Sequence, residues 1–111
     1  MKIYHNPRCS KSREALNLIM EQGIEPVVVE YLKTPPHASE LKELLMLLKL
    51  RPRDIMRTKD ANLEALNLNL DDDNAVILAL VQHPELIERP IVVQGSTAIL
   101  ARPPEKVREF F

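Results

Sequence analysis

"KIYHNPRCSKSREALNLIMEQG", residues 2–23, holds the decision about the fold. Lys2–His5 is a short β-prone stretch carrying Ile3 and Tyr4, and Asn6-Pro7 is a turn signal. Ser10–Gln22 then sets Ala15, Leu16, Leu18, Ile19 and Met20 on a helical stripe, with Gly23 placed to end the helix. Pro26 opens Val27-Val28-Val29-Glu30-Tyr31, a β-branched run with the character of a buried strand. Strand, helix and strand in this order imply a right-handed parallel unit. The chain's single cysteine, Cys9, falls on the loop between the first strand and the helix.

Outward from this unit the chain becomes helical. Lys33–His37, with Pro35-Pro36, reads as a loop. Ser39 is placed to cap a helix over Glu40–Leu50, whose leucines at 41, 44, 45 and 48 follow helical spacing. Arg51–Asp60 is a basic connector around Pro52, and Ala61–Asn67 reads as a short helix. Asp71–Asp73 put three acids at the start of a helix over Asn74–His83, where the positive dipole end favours them. That helix is apolar on most sides and is expected to be buried, and Pro84 stops it. Arg89–Val93 reads as a third strand entered through Pro90, Gln94-Gly95-Ser96 as a hairpin turn, and Thr97–Ala101 as a fourth strand. Pro103-Pro104 starts a final helix, with proline in the first turn where its missing N–H costs little. The element order is that of a thioredoxin-like α/β fold: a mixed four-stranded sheet flanked by helices, with an all-helical insertion of about residues 38–86 between strands 2 and 3. The expectation is a single domain over residues 1–111.

Composition agrees with one globular domain and excludes several classes. At 111 residues the chain is long enough for one real core and too short for two. Aromatic residues make up only 4 %, so aliphatic side chains must fill that core. A net charge of −1 gives no reason to expect nucleic acid or an anionic membrane as partner. The N-terminal MKIYHNPR lacks the apolar region of a signal peptide, and no apolar run approaches the ~20 residues of a membrane span. A cytoplasmic location is therefore expected, where a lone thiol is either a buried filler or a working thiolate.

The neighbours of Cys9 favour the thiolate. Free N–H groups and the positive dipole end meet at a helix N-terminus, and Arg8, Lys11 and Arg13 add charge nearby. A structural cysteine would sit inside an apolar stripe, and Cys9 does not. A metal site would have to start from His5 and Cys9, with only His37 and His83 besides and no paired spacing, so no metal is expected. Ser12 excludes a C-x-x-C dithiol. Ala15 stands where a tyrosine-phosphatase-type loop would need arginine. A Cys9–His5 hydrolase pair would lack an oriented third member.

"YHNPRCSKSRE" (4–14) resembles the active-site loop of the glutaredoxin-linked, ArsC-type arsenate reductases, whose fold is thioredoxin-like. "IMRTKD" (55–60), "HPELIERPIVV" (83–93) and "LARPPEKV" (100–107) resemble further segments of that family in the same order. The resemblance implies Cys9 as the nucleophile and Arg57, Arg89 and Arg102 as the arginines that bind the oxyanion. It also implies that His5, Ser12 and Arg13 help keep the cysteine ionised, and that Pro90 is the cis-proline beside the thiol. Longer members of the family continue beyond the position of Phe111.

The implied chemistry is physically coherent. Arsenate is mostly a dianion near neutral pH, and a thiolate must approach it against Coulomb repulsion. Arginine answers this, because its planar fork pairs with two oxygens and it stays charged. By the resemblance, Cys9 displaces hydroxide from arsenic to give a covalent S–As(V) adduct. With no second cysteine, an external thiol must resolve it. The family implies glutathione as co-substrate and glutaredoxin as partner, with no bound cofactor. Two other readings stay open at this point. One is a glutathione-dependent thiol oxidoreductase without arsenate activity. The other is a transcription-regulating relative that binds RNA polymerase; the C-x-x-C pair of such proteins is missing here at Ser12.

Overall fold

The computed structural model describes residues 1–111, the side chains of 61 and 62 excepted. The chain folds as two compact units, one made of Met1–Thr34 with Arg89–Phe111, the other of Pro35–Glu88.

The first unit holds the whole sheet. Strands β1 (Lys2–His5), β2 (Val27–Glu30), β3 (Ile91–Gln94) and β4 (Thr97–Leu100) lie in the order β2-β1-β3-β4. β1 pairs with β2 in parallel, bringing Tyr4 beside Val29 and His5 beside Glu30. β3 runs antiparallel to β1, with Ile3 opposite Val92, and β4 returns antiparallel to β3. The β3–β4 turn passes through Gly95 at φ 61, a left-handed conformation that costs glycine nothing. Helix α1 (Ser10–Glu21) connects β1 to β2, and Gly23 at φ 77 follows its C-terminal end.

Burial on α1 follows the helical period. Ser12, Ala15 and Ile19 form its buried stripe. Ala15 and Ile19 pack with Ile3 and Val92 of the sheet and with Ala101 and Val107 into one core. Val107 belongs to the last element, Pro104–Phe110, which is a 3-10 helix. Because the stripe begins at Ser12, packing the aliphatic residues also presses the Ser12 hydroxyl down toward β1.

The structure corrects the reading of the valine run. Val27 is 62 % exposed and Val28 44 %, so β2 is an exposed strand and not a buried one. The sheet order puts it at an edge. β-branched side chains favour extended backbone whether or not both faces are covered, so composition alone could not tell the two cases apart. Met20, placed on the α1 stripe by the sequence, is likewise exposed.

The second unit is helical. Helices α2 (Ala38–Leu48), α3 (Ala61–Ala65) and α4 (Asp73–Gln82) are joined by 3-10 turns at Pro52–Ile55 and Pro84–Leu86. α2 starts earlier than expected: His37 is its N-cap, and Ser39 lies inside the first turn and does not cap it. Leu41, Leu44 and Leu45 of α2 and Val76, Ile77, Ala79 and Leu80 of α4 are buried, while Leu78 is exposed. The acidic run has a divided role. Asp72 is the N-cap of α4 and accepts a hydrogen bond from the Ala75 N–H at 3.1 Å. Asp71 pairs with Arg53 at 2.7 Å and Asp73 with Arg51 at 3.1 Å. Both arginines are thereby engaged at the surface. Replacing Asp72 by alanine removes the cap acceptor and is expected to lower stability by about 1 kcal/mol, read from urea unfolding. An unchanged midpoint would show that the end of α4 is satisfied by water alone.

Candidate active site

The loop between β1 and α1 is closed by its own hydrogen bonds. The Arg8 N–H donates to Asn6 Oδ1 at 3.0 Å, and the Cys9 N–H donates to the Asn6 carbonyl at 3.0 Å. Arg13 reaches back from α1, and its Nη1 donates to the Pro7 carbonyl at 2.9 Å. Cys9 is thereby held as the N-cap residue of α1 in extended conformation, φ −94 and ψ 122, with its carbonyl accepting the first helical bond from the Arg13 N–H. No carboxylate lies in the first turn of α1. An anion at this position therefore has the positive helix end without a competing acid.

Cys9 is half-buried, and burial on its own pushes the thiol up. The Ser12 backbone N–H, the charge of Arg89, a hydrogen bond from the Arg89 side chain and the Lys11 backbone N–H act the other way. They prevail, and the thiol is held below its ordinary value. The supports of the thiolate are thus two helix N-terminal N–H groups and one distant arginine. Lys11, two residues after Cys9, bears on the sulfur through its backbone N–H.

Ser12 does a second job with its side chain. Its Oγ lies 2.6 Å from His5 Nδ1 and accepts the Asn6 N–H at 3.0 Å. With one lone pair taken by Asn6, the hydroxyl proton is available to His5 Nδ1, which fits a neutral ring protonated on Nε2. Burial lowers the His5 pKa most, the adjacent Glu30 carboxylate raises it, and Arg13 lowers it further, leaving it below the ordinary value. His5 and Arg13 therefore frame the loop. His5 fixes the Ser12 side chain, while Arg13 ties α1 to Pro7.

Arg89 enters β3 through a cis bond to Pro90, and β3 lies directly beside β1. Its Nε and Nη1 are buried and have no hydrogen-bond partner among the described residues. Buried guanidinium donors left open are costly unless something fills them, so they mark a place for an acceptor. Arg102 follows β4, and its Nη1 donates to the Arg89 carbonyl at 3.0 Å. The bond from Arg102 to Pro103 is also cis, which the sequence reading did not name. The first unit therefore assembles Cys9, Arg89 and Arg102. Arg57 belongs to the second unit. There, Met56 bridges Ile87, the Arg57 N–H donates to the Leu86 carbonyl at 2.7 Å, and the Arg57 guanidinium pairs with Asp60 at 3.8 Å.

Among the described residues no three His, Cys, Asp or Glu side chains converge to hold a metal ion. No helix is long and apolar enough to cross a membrane. Residues 4–110 match the family model described as the ArsC family.

The chain belongs to the ArsC family.

Within this company its relatives are close. It is 51 % identical over 112 residues to an uncharacterized Escherichia coli K12 protein, YfgD, covering 98 % of this chain and 94 % of that one. It is 50 % identical over 111 residues to an arsenate reductase of Neisseria meningitidis serogroup A, covering 96 % of this chain and 94 % of the relative. The fold agrees: an arsenate reductase from Vibrio cholerae superposes with a TM-score of 0.93 at 49 % identity, over 99 % of this chain and 96 % of that one. The thioredoxin-like fold expected from the element order is the fold observed, in the form that the ArsC relatives share.

What the sequence missed in this ArsC-family site is the path by which arginine reaches the thiol. Arg89 was singled out as an oxyanion ligand, but its action on Cys9 itself requires β3 to lie against β1. Glu30 was also overlooked as a neighbour of His5. The parallel β1–β2 register, which pairs the last residues of both strands, was the signal that could have found it.

Proposed function

We propose that this protein is an arsenate reductase that uses a single protein thiol. The observation that carries the reading is the Cys9 thiol held below its ordinary pKa beside an arginine with open, buried donors. The names of its close relatives support the substrate. Arsenate docks on Arg89 and Arg102. The Cys9 thiolate attacks arsenic, an S–As(V) bond forms, and hydroxide leaves and is protonated. The dianion approaches an anionic nucleophile only because the guanidinium offsets the repulsion between them. The Ser12 and Lys11 N–H groups keep the sulfur ionised without placing further side chains over it.

The cysteine has no partner thiol in the chain, so the cycle needs one from outside. Glutathione thiolate attacks the Cys9 sulfur, the S–As pair stays on arsenic, and arsenite departs as As(III). The two sulfurs are left oxidised as a mixed disulfide. Glutaredoxin then attacks the glutathione sulfur and returns Cys9 as thiolate.

The direct test is arsenite formation with purified protein, arsenate, glutathione and glutaredoxin, with thioredoxin as the alternative donor. Arsenite should form with the glutathione system and not with thioredoxin. Turnover of a glutathione mixed disulfide without any arsenite would sink the arsenate reading and leave a thiol oxidoreductase. Arg57 enters on its resemblance to the family's oxyanion arginines. Arg57→Ala is expected to raise the KM for arsenate about tenfold with little change in unfolding midpoint. An unchanged KM would remove Arg57 from the substrate's contacts.

A further inference from the structure

Beside the Cys9 loop lies a groove of about 270 Å³ that the arsenate chemistry does not use. His5, Pro7, Arg8, Glu30, Leu32 and Lys33 line it. Its charges are two cations and one carboxylate. Arg8 is exposed and makes no ion pair among the described residues. Lys33 stands 3.6 Å from Glu30, on a turn closed by the Lys33 and Thr34 N–H groups donating to the Glu30 carbonyl. Leu32, 43 % exposed, and Pro7 add an apolar wall. A small oxyanion is a poor fit here, because Glu30 repels it and the groove is larger than it needs.

We propose that this groove seats the glutathione that resolves the Cys9 adduct. The inference rests on the reading above only in taking glutathione as the co-substrate. Glutathione carries two carboxylates and one ammonium, the inverse of the groove's charges. Its γ-glutamyl end carries the ammonium and one carboxylate side by side, as Glu30 and Lys33 stand side by side. Its glycyl carboxylate falls to Arg8, which directly precedes Cys9 in the chain. Held at both ends, the tripeptide presents its central sulfur to the loop that carries the reactive thiol. Two ends tethered at exposed ionic contacts add modest affinity each, and their main effect is on orientation.

The test uses the intact protein and needs no arsenate. Cys9 is reacted with glutathione disulfide and with bis(2-hydroxyethyl) disulfide, and the rate constants are read by mass spectrometry. In each reaction the Cys9 thiolate attacks one sulfur, the reagent's S–S bond breaks, and one thiolate leaves, with no net oxidation. The wild type should favour glutathione disulfide. Lys33→Glu and Arg8→Glu should each lower the ratio of the two rates about fivefold, and the double variant should lower it further. Taking the ratio cancels any effect of Arg8 on the thiol itself. Lys42→Glu, an exposed change on α2 with the same change in net charge, should leave the ratio intact. A ratio that survives Arg8→Glu and Lys33→Glu overturns the proposal, and so does an equal fall in Lys42→Glu. A protein that shows the preference but makes no arsenite supports the groove while overturning the arsenate reading.

Discussion

Cys9→Ser protein is expected to make no arsenite above background, a loss of roughly three orders of magnitude or more in turnover. Serine keeps the N-cap position, since its hydroxyl suits the start of a helix at least as well as a thiol does. The Cys9 carbonyl bond to Arg13 is a backbone bond and survives the change. Unfolding should therefore hardly move, while chemistry stops. The reason is the nucleophile's acidity. The donors that hold a thiol below its ordinary value cannot bring an alcohol, several units less acidic, to a useful anion at neutral pH. Single-turnover mixing of arsenate with enzyme decides the matter. Arsenite formed at the wild-type rate by the serine protein would end any role for an S–As adduct.

Arg89→Ala should have the second-largest effect, because on the proposed reading Arg89 serves both the thiolate and the arsenate. Its charge and hydrogen bond lower the Cys9 pKa, and its Nε and Nη1 are open donors. Loss of one such preorganised cation costs on the order of 10²-fold in kcat/KM. The two roles separate by pH. Alkylation of the thiol tracks the thiolate fraction, so in the wild type it falls as pH drops through a midpoint below that of an ordinary thiol. Removing Arg89 takes away a stabiliser of the charged form, and the midpoint moves upward. At neutral pH the variant therefore alkylates more slowly. At a pH above both midpoints the alkylation rates converge, and what remains of the arsenate defect belongs to substrate binding. An alkylation profile that stays in place in Arg89→Ala would show that the N–H groups of Ser12 and Lys11 suffice for the thiolate. Arg89→Lys should restore part of the profile and little of the arsenate activity, since an ammonium supplies charge without the planar fork.

Much of this was legible in the sequence because the chain punctuates its elements clearly. Gly23, Pro26, Pro84 and Gly95 each stand at an element boundary, and each acts through a backbone constraint that needs no tertiary context. Cys9 was legible for the same reason: its place at a helix start follows from local pattern alone. What stayed hidden depends on which elements become neighbours. Val27-Val28-Val29 has the same composition in a central strand and in an edge strand. Ser39 looked like a cap, but His37 lies where the backbone leaves the helix. The influence of Arg89 on the thiol required knowing that β3 sits next to β1. Local chemistry is written in short stretches, whereas electrostatic partners are fixed by sheet order.

The order β2-β1-β3-β4 has one more consequence, for the protein's synthesis. The unit that carries Cys9 is discontinuous, built from Met1–Thr34 and Arg89–Phe111. As the ribosome emits the chain, β1, α1 and β2 appear well before β3, β1's other neighbour, and before the Val107 side of the α1 core. Contacts of such long sequence separation close late. Until β3 has been made, the nascent thiol lacks the charge and hydrogen bond of Arg89 and has only the N–H groups of α1 to hold it below its ordinary value.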